Sequence, residues 1–259
     1  MPGDISWVGA VASLTLVAVA IGISFWNRLG VERSIVWAAA RAAIQLIAVG
    51  LLFRLIFDSV AAMTWAWIWV VGMAALSTEV VTRRASRIPG LRLYSFLSLA
   101  GAVAVTLALL FGLGVFAFEP VTLVVLAGIT LGNTLPAAVQ ATDVITDQLM
   151  DEPQRIEGLL SLGFDRKGAM RMTTASAVRT ALVPQIERTK VIGLIALPGT
   201  MTGMLLAGAD PMPAVLAQLV ITYLVLGSVG VATTVIVTMT AARAFTADLR
   251  LADWVTRAG

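Results

Sequence analysis

Cysteine and histidine are both absent from this chain of 259 residues. Without thiols there are no disulfides and no thiolate nucleophiles; without imidazole the most versatile acid–base group and metal ligand is gone as well. Any enzyme mechanism would have to rely on carboxylates and hydroxyls, and no catalytic motif surrounds those. Charge is also scarce, at 13% of residues against roughly 25% in ordinary soluble domains. Lysine occurs only as Lys167 and Lys190, both in one polar interval, so the chain lacks the membrane-embedded Schiff-base lysine that a seven-helix retinal pigment needs. No GxxxxGKS or GxxxxGKT run occurs, and with it goes the usual phosphate cradle for ATP.

What fills the chain is apolar residues, at 59%. Seven runs reach the roughly 17–25 residues that cross a bilayer: Ile5 to Trp26, Ile35 to Phe57, Val60 to Val81, Leu93 to Phe118, Val121 to Val139, Val191 to Ala209 and Ala214 to Ala242. The expected fold is therefore all-α, a polytopic membrane protein of seven transmembrane helices in a single domain over residues 1–259. The first run lacks a basic leader and a small-residue cleavage site, so it reads as a retained span.

Orientation follows from Lys and Arg, which stay on the cytoplasmic side when they flank short loops. Arg28 and Arg33 follow the first run, Arg83, Arg84, Arg87 and Arg92 the third, and Arg243, Arg250 and Arg257 the last. The opposite connections carry Asp58, Glu119 and Asp210 without a base. The N-terminus is expected outside and the C-terminus inside, in a cell inner (plasma) membrane. The pI near 9.9 reflects this one-sided distribution, so no nucleic-acid partner is implied.

External connections are short, whereas residues 140–190 form a long polar interval, expected as a cytoplasmic loop. Asp151 and Pro153 mark a helix start. Ile156, Leu159, Leu160 and Gly163 then fall on one face at amphipathic spacing, and Gly163 ends that helix. Asp165 is suited to cap a second helix reaching about Thr180, which Pro184 stops or kinks. Two short helices with a corner between them form a docking element, for lipid headgroups, for the chain itself or for another protein.

The runs flanking this loop are the most interrupted. The fifth contains GITLGNTLP, with Gly128 and Gly132 at GxxxG spacing, then Asn133 and Pro136; the sixth contains LPGTMTG, with Pro198, Gly199 and Gly203. Small residues so spaced let helices approach, and paired broken spans also point to a transport path. Asn133, Thr200, Met201, Thr202, Met204 and Gln218, together with Arg41, Gln45 and Glu79, are candidates to line it, with helix-gluing as the competing role for Asn133 and Gln218. Met201, Met204 and Met212 could suit a soft metal or simply pack. Arg41, a charge that costs about 2.5–3.5 kcal/mol near a helix centre, either snorkels to the inner headgroups or pairs with Glu79; Gln45 lies one turn beyond it.

The runs RAAIQLIAVGLL, GITLGNTLPAAV, IEGLLSLGFDRKGA and PQIERTKVIGLIALPGTMTGMLLAGADP resemble the FetB-type permeases, the membrane subunits of an iron-export ABC transporter related to plant aluminium-tolerance permeases. The resemblance covers nearly the whole chain. It implies a homodimeric permease that binds no cofactor itself and works with a separate ATP-binding cassette ATPase, which holds ATP and Mg. It also implies that Arg155, Ile156, Glu157, Leu159, Leu160, Gly163, Phe164 and Asp165 form the coupling element for that subunit. Iron or another metal is the implied cargo, with a nucleotide sugar as the alternative through the plant relatives. A secondary transporter independent of ATP is the competing class. This chain departs from the family at Met204, where Gln is usual, and at Ala217-Gln218, where Tyr-Gln stands.

Overall fold

The computed structural model describes residues 7–85, 88–246, 248 and 250–256; Ile5, Arg87 and Arg257, used above, lie outside these. The chain divides into two units, Met1–Ala62 with Leu206–Gly208, and Met63–Leu205 with Ala209–Gly259. Every regular element among the described residues is a helix. This is what hydrocarbon requires, because only a helix satisfies its own backbone N–H and C=O groups where no water can.

The first unit contains α1 (Trp7–Trp26) and α2 (Glu32–Phe57). A tight connection joins them, closed by the Ser24 hydroxyl donating to Glu32 Oε1 at 2.7 Å. Leu16, Phe25, Trp37, Leu46 and Leu55 all point outward. In water such a surface would aggregate; in lipid the surrounding chains are as apolar as the side chains and nothing drives these residues inward.

The second unit contains α3 (Ala62–Arg84), α4 (Leu91–Gly112), α5 (Pro120–Asp151), α6 (Pro153–Ser161), α7 (Arg166–Lys190), α8 (Gly199–Leu206), α9 (Pro211–Arg243) and α10 (Asp253–Thr256). Its centre is α9, which packs against α4, α5 and α7, while α5 also packs against α4 and α7. The contact faces are built from small residues: Ala127, Ala138 and Ala141 on α5, Ala177 and Ala181 on α7, and Ala214 and Ala232 on α9 are all buried. Their size lets the backbones approach. Between them sit threonines that satisfy their own hydroxyls. Thr130, Thr134, Thr142 and Thr146 each donate to the carbonyl four residues back, at 2.6–2.9 Å, leaving methyl groups for the contact. Across helices, Ser98 donates to the Ala232 carbonyl at 2.7 Å, and Arg243 Nε donates to the Tyr94 hydroxyl.

Among the described residues five helices, α2, α3, α4, α5 and α9, are long and apolar enough to cross a membrane. They correspond to the second, third, fourth, fifth and seventh apolar runs. The sixth run, Val191 to Ala209, is not one helix. Its first part is irregular, folded back so that Gly193 N–H donates to the Ala196 carbonyl at 2.9 Å with Gly193 at φ +85°. Only the eight residues of α8 are helical, about 12 Å of rise against the roughly 30 Å of a hydrocarbon core. The physical reason is local: Pro198 has no N–H to give, and Gly193, Pro198 and Gly199 in so short a stretch favour a loop. The long element here is α7, which continues through Pro184 to Lys190, is about 37 Å long and packs against α5 and α9. The second helix of the polar interval, expected to reach about Thr180, thus runs on to Lys190.

The elbow between α5 and α7 is built as its residue types dictate. Pro153 opens α6 in the first turn. The helix ends in a Schellman arrangement, with Phe164 N–H on the Leu159 carbonyl at 3.1 Å, Gly163 N–H on the Leu160 carbonyl at 3.0 Å and Gly163 at φ +89°. Asp165 then caps α7 by accepting from Gly168 N–H at 2.7 Å. Asp165→Ala is expected to destabilise the protein by about 1 kcal/mol, with Asp165→Asn recovering most of the loss. Gly163→Ala should lose a similar amount, about 1 kcal/mol, through left-handed strain. Thermal unfolding of the purified protein in detergent measures both.

Candidate functional site

A cavity of about 340 Å³ opens where α5, the end of α7, the irregular stretch and the start of α9 meet. Each wall contributes polar groups for a local reason. Pro136 cannot donate to the Gly132 carbonyl, and Asn133, within that weakened turn of α5, donates through Nδ2 to the Ile129 carbonyl at 2.8 Å. On α7, the buried stripe Ala177, Ala181 continues at the same spacing to Gln185, and Arg188 follows three residues on; both line the cavity. On α9, Gln218 and Thr222 stand one turn apart on the inward face, Gln218 Nε2 donating to Thr222 Oγ1 at 3.2 Å. Thr200, at the beginning of α8, closes the set.

The electrostatics are one-sided. Among the described residues lining the cavity none is Asp, Glu or Met, and Arg188 is the charged one. No carboxylate among the described residues pairs with it: Glu187, its neighbour, is held by Lys190 at 2.7 Å. Gln218 is 7% exposed and its Oε1 has no partner, an arrangement that costs about 1–3 kcal/mol unless a ligand or water supplies a donor. The first three N–H groups of α8, on Gly199, Thr200 and Met201, likewise find no acceptor among the described residues.

The residues expected to line a path are thus divided. Asn133, Thr200 and Gln218 come together in this cavity. Met201, Thr202 and Met204 lie on α8 outside its lining, with Thr202 Oγ1 donating to the Pro198 carbonyl at 2.9 Å. Arg41 and Gln45 are exposed on α2. Glu79, considered above as a partner for Arg41, has one carboxylate oxygen on Arg83 at 2.8 Å and the other on Arg92. Gln185, Arg188 and Thr222 were not singled out from the sequence. The i, i+3 pair in PQIERTK was the available signal, hidden because that stretch reads as surface loop. Among the described residues the two GxxxG spacings have no close neighbour: a Cβ on Gly128, Gly132, Gly199 or Gly203 would meet nothing within 4 Å.

The elbow separates its residues into inward and outward sets. Ile156 is 2% exposed and Leu159 and Leu160 are half-buried, fastening α6 to its own chain against α7. Arg155 pairs with Glu152 at 2.6 Å and reaches the Met172 sulfur at 3.4 Å. The outward set is Glu157, Leu162, Gly163, Phe164 and Asp165, in which Leu162 and Phe164 are large apolar groups 77% and 51% exposed.

Residues 7–245 match the family described as "Uncharacterised protein family (UPF0014)". Over 223 residues the chain is 32% identical to the Escherichia coli K12 protein named "Probable iron export permease protein FetB", covering 85% of each. It is 33% identical over 222 residues to the rice "UPF0014 membrane protein STAR2", covering 84% of this chain and 76% of that one. It is 28% identical over 217 residues to the Arabidopsis thaliana "Protein ALUMINUM SENSITIVE 3", covering 84% of this chain and 79% of the other. No solved structure matches the chain significantly. With its apolar helices and its match along nearly the whole sequence, the chain is a multi-pass membrane protein that belongs to the UPF0014 family.

Proposed function

We propose that this chain is the membrane-spanning permease subunit of an ABC transporter, working as a homodimer with a separate ATPase subunit that holds ATP and Mg. The observation that carries the reading is α7. One helix, with Pro184 inside it, begins at the capped elbow and ends at the cavity, so Asp165 and Arg188 stand at the two ends of a single element about 35 Å long. A push on the elbow moves a wall of the cavity. The outward Leu162 and Phe164 form the kind of small apolar patch that docks on a partner, and the two caps keep that patch stiff.

In this reading the N-terminus is outside and the C-terminus inside, and the seven crossings include a broken one made by α7, the irregular stretch and α8. Arg166, which donates to the Thr246 carbonyl at 2.8 Å, ties the elbow to the segment after α9 on the inner side. Discontinuous crossings beside a polar cavity are a recurring design of transport proteins. Cargo and direction come from the bacterial relative's name, an iron export permease, which makes export of iron or another metal the activity to test here.

Leu162→Asp combined with Phe164→Glu is expected to abolish co-purification with the ATPase and to reduce ATP-dependent transport in proteoliposomes by at least tenfold, with the melting temperature of the chain alone unchanged. Normal transport by that variant, or cargo movement by the purified chain without any ATPase, would refute the assignment.

A further inference from the structure

Three features of the cavity, on three different elements, ask for the same kind of occupant. Arg188 brings a fixed positive charge with no carboxylate to neutralise it. Its guanidinium is planar and always charged, suited to gripping a carboxylate or phosphate through two parallel hydrogen bonds. Pro198, Gly199 and Thr200 line the same space, so α8 presents its N-terminal end there, with three N–H groups lacking an acceptor among the described residues. Such an end favours negative charge. The third feature is Gln218, whose buried Oε1 is an acceptor without a donor. An anion alone would leave it unsatisfied; a hydroxyl on the same molecule would not.

A bare metal cation fits this space poorly. The described lining residues offer neutral amide and hydroxyl oxygens but no carboxylate, imidazole or sulfur, and hard or borderline cations are ordinarily held by such ligands. Among the described residues no cluster of three acidic groups exists elsewhere to compensate. Bringing a divalent ion beside an unpaired Arg188 adds like-charge repulsion.

We infer that the cavity binds its cargo as a small hydroxyl-bearing anion, a carboxylate or phosphate, either free or wrapped around a metal ion as a net anionic chelate. Arg188 and the α8 N–H groups take the anionic group; Gln218, Asn133 and Thr222 take the hydroxyls. The inference rests on reading this cavity as the cargo site, and it reconciles a metal-exporting role with a wall that repels naked metal.

The test is equilibrium binding to the full-length chain in nanodiscs, without any ATPase, so that it stands apart from the question of the partner subunit. The probes are citrate, glucose 1-phosphate, ferric citrate and ferrous chloride alone, read by calorimetry and by the shift in melting temperature. At least one of the first three is expected to bind, with affinity falling at least tenfold in Arg188→Gln, less in Arg188→Lys, and not at all in Arg179→Gln, an exposed α7 arginine outside the cavity. Gln218→Met should weaken binding severalfold while leaving the melting temperature of the ligand-free protein equal or higher, because it removes an unsatisfied buried acceptor; a merely structural role would lower it. Binding of citrate or glucose 1-phosphate by itself identifies a free anion as cargo, and binding of ferric citrate alone identifies the chelate. Binding of ferrous ion that is unchanged or tightened in Arg188→Gln, or no Arg188-dependent binding of any anion, overturns the inference.

Discussion

Every peptide group at membrane depth must find its hydrogen-bond partner inside the protein, and the architecture of this chain follows from that constraint. Where the sequence permits a continuous i→i−4 ladder the chain forms long helices. Where Pro198 and the flanking glycines interrupt it, the unpaired N–H groups at the start of α8 have to face something polar. Of the residues carrying them, Gly199 and Thr200 line the cavity. The break in the sixth run and the polar site are therefore one event: the defect in the ladder creates the donors, and the donors require an aqueous or ligand-filled space.

The same constraint explains the threonines. A hydroxyl on a helix buried among other helices needs an acceptor, and the nearest is the carbonyl one turn back, which Thr130, Thr134, Thr142, Thr146 and Thr233 all use. Once satisfied, each presents a methyl group. Together with alanine these give α5, α7 and α9 smooth faces that approach closely, where association depends on dispersion because lipid supplies no hydrophobic drive. Close packing at Ala169, Met170, Ala177 and Ala181 holds the first two thirds of α7 against its neighbours. Between Asp165 and Arg188 the one weakened turn is at Pro184, which cannot donate to the Thr180 carbonyl.

Legibility in the sequence varied with the physics involved. Helix ends were readable: Pro153, Gly163 and Asp165 do what their backbone preferences and side-chain lengths require, since capping depends on neighbours within a few residues. Asn133, Thr200 and Gln218 stood out because polar side chains are conspicuous in apolar runs. Arg188 and Gln185 did not stand out, lying in a polar stretch where charge is unremarkable. Hydropathy averages over a window and carries no information about which helices lie beside it, so the last turns of α7, from Ala181 to Lys190, read as solvated loop. An apolar stretch folded back on itself likewise looks like a span.

Composition and local pattern by themselves determined that this is an all-helical membrane protein, and they determined where its helices are capped, because those properties depend on solvent preference and on interactions spanning a few residues. Only the tertiary structure decided that α7 runs back through the bundle, that the sixth run is broken, and that Ile156 faces inward while Phe164 faces out. It also decided that amides from three elements converge on one unpaired arginine. These are consequences of which faces meet, and side chains distant in the chain become a site only when packing brings them within reach of one another.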